Sequence, residues 1–95
     1  MIKLGLLQIE IYIPQSGSLK RKRYVLRGLK EKIRSKFNVS VAEAGYQDKW
    51  QRSVLAIACV SNDDRIISAT FSKILDMIEA GRDGYEILRD EIEIL

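Results

Sequence analysis

From Ile2 to Ile13 the chain alternates, with Leu7, Ile9, Ile11 and Ile13 apolar and Gln8, Glu10 and Tyr12 between them. A two-residue period belongs to a strand whose two faces differ, and Pro14 ends it. The short stretch Gln15-Ser16-Gly17 leads to Ser18, whose hydroxyl is placed to cap a helix, a contact worth about 1 kcal/mol. There the period lengthens. Leu19, Leu26, Leu29, Ile33 and Phe37 fall within one sector when each residue advances about 100°, so Ser18 to Phe37 is predicted as a helix with that stripe buried.

A second strand is predicted over Asn38 to Ala44, where Val39 and Val41 alternate with Ser40 and Ala42, and Gly45 to Lys49 supplies a polar turn. Trp50 to Ser61 follows as a third strand. Its run Val54 to Val60 is continuously apolar, which suits a central strand covered on both faces and leaves its inward face unassigned. Asn62-Asp63-Asp64 opens a second helix, with carboxylates set favourably against the positive end of its dipole. Ile67, Phe71, Ile74 and Ile78 form its buried stripe, and Gly81 closes it. Tyr85 to Leu95 reads as a last strand, Leu88, Ile92 and Ile94 alternating with Arg89, Glu91 and Glu93, whose charges suit an exposed edge.

The order is βαββαβ. Right-handed crossovers then put both helices on one face of a four-stranded antiparallel sheet, the α+β ferredoxin-like arrangement, as a single domain over residues 1–95. The other sheet face is left open. If alternation holds, Leu4, Leu6, Tyr12, Ala42 and Ala44 look out from it, a more apolar set than a wetted face requires, and this points to an interface through which the chain self-associates as a homodimer.

Charge changes this picture most in the first helix. Ser18 to Phe37 carries nine of the sixteen lysines and arginines against a single acid, Glu31. Residues 1–60 hold twelve basic and four acidic groups, a net +8, whereas residues 61–95 hold four basic and nine acidic groups, a net −5. A strongly dipolar protein is expected from so modest a total as +3. Arg23, Arg27, Lys30 and Arg34 follow the 4, 3, 4 spacing of one helix ridge, with Lys20 close by, and a row of cations can track successive phosphates. Lys22 falls on the apolar side, where its stem packs while its amine is expected to snorkel to water as a weaker phosphate contact.

Catalytic chemistry finds little support. The chain has no histidine and one cysteine, Cys59, which removes most routes to a zinc site, a Cys-His nucleophile or a Ser-His-Asp triad. No metal and no cofactor are expected, and no enzyme activity. The glycines do not fall into a phosphate-cradling spacing before a helix, and Gly81 and Gly84 follow one. Asp63, Asp64 and the acidic stretch Asp83 to Glu93 read as a helix start and a solvated edge. The apolar N-terminal stretch is interrupted by Lys3, Gln8 and Glu10 and is too short and polar for a signal or a membrane span, and with the lone thiol this predicts a cytoplasmic protein.

A βαββαβ order raises the RNA-recognition sheet platform, whose third strand stacks bases on aromatics. Gln51 to Ile57 has none, and Tyr12 alone does not build such a platform. The turn Gln47-Asp48-Lys49-Trp50-Gln51-Arg52 has two readings. Trp50 caps the core edge while Gln47 and Asp48 tie down the turn, or Gln47, Asp48, Trp50, Gln51 and Arg52 form a recognition loop.

Ser18-Leu19-Lys20, Phe37-Asn38-Val39-Ser40-Val41-Ala42-Glu43, Gln47-Asp48, Trp50-Gln51-Arg52 and Ser61-Asn62-Asp63, occurring in that order, resemble the bacterial YlxP-like family, a domain of unknown function, over essentially the whole chain. The resemblance implies a ferredoxin-like fold and no established reaction. Members are often encoded beside translation-initiation and ribosome-maturation factors, which implies a role near ribosomal or other structured RNA. Arg21 departs from the pattern, since relatives commonly carry an acid there. The leading expectation is an RNA-binding or ribosome-associated accessory factor, and the alternative a protein-interaction module using the open sheet face.

Overall fold

The computed structural model describes residues 1–81 and 84–95. The elements run β1 Lys3–Tyr12, α1 Leu19–Lys36, β2 Ser40–Gly45, β3 Arg52–Ser61, α2 Asp64–Ala80 and β4 Glu86–Ile94. The sheet order is β2-β3-β1-β4, every neighbouring pair antiparallel, with both helices on one face, which is the ferredoxin-like arrangement the periodicities predict. Ser18 caps α1 by accepting the Arg21 N–H at 3.0 Å, and Asp63 caps α2 by accepting the Arg65 N–H at 2.9 Å. Gly81 ends α2 in extended backbone, its N–H donating to the Met77 and Ile78 carbonyls.

The core lies between the sheet and the helices. Leu7, Ile9, Ile11 and Ile13 of the first strand region face Leu26, Leu29 and Ile33 of α1 and Ile67, Phe71, Ile74 and Ile78 of α2. Pairing settles the inward face of β3. Leu55, Ile57 and Cys59 stand opposite Ile9, Leu7 and Gly5 and are buried with them, which turns Val54, Ala56, Ala58 and Val60 outward. Gly5 is where α2 approaches closest, since a Cβ there would meet Ile67 Cγ2 at 2.3 Å and Phe71 at 2.9 Å. Only a residue without a side chain allows that contact.

One expectation needs correction. The predicted alternation of the last strand slips, because the register shifts between Glu10 and Ile11: Arg89 pairs with Glu10 while Ile87 pairs with Ile11. Ile87 packs on the core in place of Leu88, which is left 46% exposed. Asp83, where the acidic stretch was expected to begin, lies outside the described residues. The outward set holds: Leu4 pairs with Val60, Leu6 with Ala58 and Ala42 with Ala56 on the face away from the helices, with Ala44 at a second register shift.

Candidate nucleic-acid interface

The buried stripe of α1 orients everything else on that helix. With Leu26, Leu29 and Ile33 fixed on the core, the ridge Arg23, Arg27, Lys30 and Arg34 lies beside the buried stripe, with Arg34 at the free edge of β2 and Arg27 also lining the groove on the far flank of the helix. The Arg34 guanidinium donates to the Val41 carbonyl at 2.8 Å and covers an edge acceptor that no strand pairs. Among the described residues, Arg23, Arg27 and Lys30 have no carboxylate within ion-pair distance. Arg23, Arg27 and Lys20 are exposed and Lys30 is partly so.

These cations do little for the helix itself. The first turn of α1 holds no acid, and Lys20, Arg21 and Lys22 lie against the positive end of its dipole, a placement that costs up to about 1 kcal/mol per exposed charge. α2 obeys the opposite and ordinary rule, with Asp63 and Asp64 at its start. There the Arg65 side chain, and then its backbone N–H, donates to the Asp63 carboxylate and holds it below the usual aspartate range, while Arg65 is raised by the same bond. The sequence asymmetry in charge becomes an asymmetry between sheet edges. The basic helix α1 borders β2, and β4 at the far edge carries Glu86, Asp90, Glu91 and Glu93 with Arg89 alone against them.

Lys22 does not behave as expected. It is only 1% exposed, and its amine is turned inward instead of reaching water. Nζ lies 2.9 Å from Glu43 Oε2, which also accepts the buried Ser53 hydroxyl at 2.8 Å, and it donates to the Tyr46 carbonyl. Glu43 sits on the helix-facing side of β2, and that inward carboxylate is what draws the lysine in, so Lys22 is a structural cation that joins α1 to the β2–β3 hairpin. It leaves the set of groups open to phosphate.

The hairpin turn is tied down by other residues than Gln47 and Asp48. Gln51 Nε2 donates to the Pro14 and Ser16 carbonyls at 3.1 and 3.3 Å, its own carbonyl accepts the Ile13 N–H, and the Lys49 N–H donates to the Tyr46 carbonyl at 3.0 Å. Trp50 does not cap the core: it is 54% exposed. Tyr46 takes a left-handed backbone, φ 57°, unusual for a bulky side chain, and its carbonyl is held there from two sides by Lys22 and Lys49. Its ring carries the Arg52 guanidinium, 4.7 Å from the ring centroid, and Arg52 is anchored to Glu10 Oε1 at 2.9 Å. That hydrogen bond, more than the charge of Glu10, raises the Arg52 pKa. Tyr12 pairs directly with Arg52 across the strands, so the fold gathers Tyr12, Tyr46 and Trp50 at one end of the open face. The distance in sequence between Tyr12 and the turn hid this grouping, and its signals were the outward phase of Tyr12 and the alternative reading of Gln47 to Arg52 as a recognition loop.

The other flank of α1 forms a groove of about 450 Å³ with Tyr85, lined by Arg21, Tyr24, Arg27, Gly28, Glu31 and Lys32 among others, and Arg21 lies over the Tyr24 ring at 5.3 Å. Among the described residues no group of three or more acidic, histidine or cysteine side chains could hold a metal, and no helix is long and apolar enough to cross a membrane.

The ferredoxin-like fold is shared by proteins of many functions, so likeness of fold carries no activity. The solved de novo designed protein Foldit4 has it, with a TM-score of 0.58 over 100% of this chain and 97% of that one at 14% identity. Residues 4–92 match the family described as "Protein of unknown function (DUF503)", and the chain belongs to that family. It is 39% identical over 77 residues to a protein of Bacillus subtilis (strain 168) named "Uncharacterized protein YlxP", a match covering 81% of this chain and 84% of that one.

Proposed function

We propose that the chain is a small cytoplasmic RNA-binding or ribosome-associated accessory factor without catalytic activity, gripping the phosphates of structured RNA along α1. The observation that carries this reading is the ridge Arg23, Arg27, Lys30 and Arg34, three of whose cations have no carboxylate within ion-pair distance among the described residues, on a helix whose first turn is also basic against its own dipole. Surface charges of mixed sign would be ordinary solvation; a one-signed row of this kind stores repulsion that a polyanion relieves. Arg34 divides its fork between the β2 edge and the outside, so Arg23, Arg27 and Lys30 are the principal contacts and Lys20 the accessory one. The test is binding of a fluorescein-labelled RNA stem-loop, followed by anisotropy, to the full chain and to Arg23→Glu/Arg27→Glu. The reading expects the variant to lose at least about tenfold in affinity, and it fails if wild type and variant bind alike.

A second reading has its own observation. Leu4 and Val60, paired across β1 and β3 on the open face, are 39% and 61% exposed, beside Leu6 and the smaller Ala58, Ala56 and Ala42. A contiguous apolar sheet face of this kind suits a second copy of the chain. Sedimentation of a strict monomer at high concentration rules that reading out, and a Val60→Lys variant that dissociates a dimer supports it.

A further inference from the structure

The aromatic end of the open sheet face is not used by the ridge on α1. Tyr12 at the end of β1, Tyr46 and Trp50 in the hairpin turn and Arg52 at the start of β3 line one cleft of about 540 Å³, together with Asp48, Lys49 and Gln51. That is within the size of clefts that hold small ligands, about 300–1,000 Å³. Trp50 belongs to no core cluster and keeps more than half of its surface in water, and Tyr46 is 37% exposed, so packing accounts for neither ring. The strained backbone of Tyr46 and the Glu10 anchor fix a ring and a guanidinium plane in contact, before any ligand arrives.

Ring-shaped and planar groups suit this cleft better than cations do. The Tyr46 ring already carries Arg52, so an aromatic cage for an ammonium group has lost that ring's open face, and Asp48, the one carboxylate of the lining, is outnumbered by cations. The lining carries two cations, Lys49 and Arg52, against Asp48. An anionic ligand with a flat ring matches both features. Bases stack on aromatic side chains and on guanidinium planes, and every base has a face to offer.

We propose that this cleft receives an unpaired base of single-stranded RNA, stacked on Trp50 beside Tyr12 and Tyr46, with Lys49 and Arg52 meeting its phosphates. The inference rests on the RNA reading above and extends it from paired, phosphate-tracked RNA to an unpaired segment. Lys22 connects the two surfaces, since its bond to the Tyr46 carbonyl holds the first turns of α1, with Lys20 and Arg23, at the hairpin end of the molecule. One RNA with a paired stem and a single-stranded extension can then lie along the ridge and end in the cleft.

Trp50 is the only tryptophan, so the intact chain reports its own stacking. Its fluorescence is titrated with a uridine hexanucleotide, with an abasic ribose-phosphate oligomer of the same length and with a proline-rich peptide. Quenching by the hexanucleotide and by neither of the others is expected. With a labelled hexanucleotide followed by anisotropy, Trp50→Ala and Tyr12→Ala each weaken binding about tenfold or more, while circular dichroism stays that of the wild type and affinity for a fully paired RNA duplex is unchanged. Equal binding of the abasic oligomer, quenching by the peptide instead of the hexanucleotide, or hexanucleotide affinity indifferent to Trp50→Ala each overturns the inference. Where the hexanucleotide fails and the duplex still binds, base stacking alone is lost; where neither binds, the phosphate-binding reading falls with it.

Discussion

Replacing Lys22 by methionine tests the buried joint between α1 and the β2–β3 hairpin. Methionine keeps most of the stem's packing and removes the amine, so what is lost is the 2.9 Å ion pair to Glu43 and the bond to the Tyr46 carbonyl. Removing one partner of a fully buried pair costs about 3–5 kcal/mol. Here the Glu43 side chain keeps 20% of its surface exposed and retains the Ser53 hydroxyl, and the Tyr46 carbonyl retains the Lys49 N–H. Water therefore recovers part of the loss, and about 2 kcal/mol is expected, a fall in Tm of about 8–16 °C for a chain of this size. Urea denaturation followed by far-ultraviolet circular dichroism measures it, because Trp50 is too exposed to report unfolding well. The double variant Lys22→Met/Glu43→Gln, which removes the orphaned charge and leaves a group for Ser53, should regain about half of the loss or more. A loss below about 0.5 kcal/mol in Lys22→Met, the size of an ordinary surface substitution, refutes the inward amine.

Three further outcomes follow from the same geometry. Gly5→Ala drives a methyl group into Ile67 and Phe71, so thermal denaturation should show a loss of about 1–3 kcal/mol or more. Gly28→Ala, in the middle of α1 where a Cβ meets nothing within 4 Å, should raise stability by about 0.5–1 kcal/mol, and a measured loss would mean that this stretch of helix is not open to solvent. Asp63, held low in the folded state, contributes stability that is present above its unfolded pKa and lost as pH falls through the folded value; an NMR titration of its carboxyl should show a depressed midpoint that Arg65→Ala returns towards the ordinary aspartate value.

The helices were legible because a 3.6-residue period reports burial directly: Leu26, Leu29 and Ile33, and likewise Ile67, Phe71, Ile74 and Ile78, are the residues that the structure buries. Strand phase was legible only where polar residues mark it. In β1 they do; in β3, Val54 to Val60 are all apolar, and only pairing with β1 tells Leu55 and Ile57 from Val54 and Ala56. β4 was misread at Leu88 because a register shift changes which residue faces the core without changing the composition. Lys22 was misread for an electrostatic reason. A lysine on an apolar stripe ordinarily reaches outward, and the inward carboxylate that reverses this belongs to β2. The ridge on α1 could be read within one helix, whereas the aromatic cleft depends on three positions that only the antiparallel pairing of β1 with β3 and the hairpin turn bring together.

The salt dependence of RNA binding reaches the central claim most directly, because it counts the phosphates neutralised. For a structured RNA bound by the intact chain, the account predicts that the logarithm of the association constant falls against the logarithm of salt concentration with a slope of about −3 to −4, and that Arg23→Ala/Arg27→Ala reduces the slope to about −2. A slope near zero, or one that these two substitutions leave unchanged, contradicts a phosphate-binding ridge on α1.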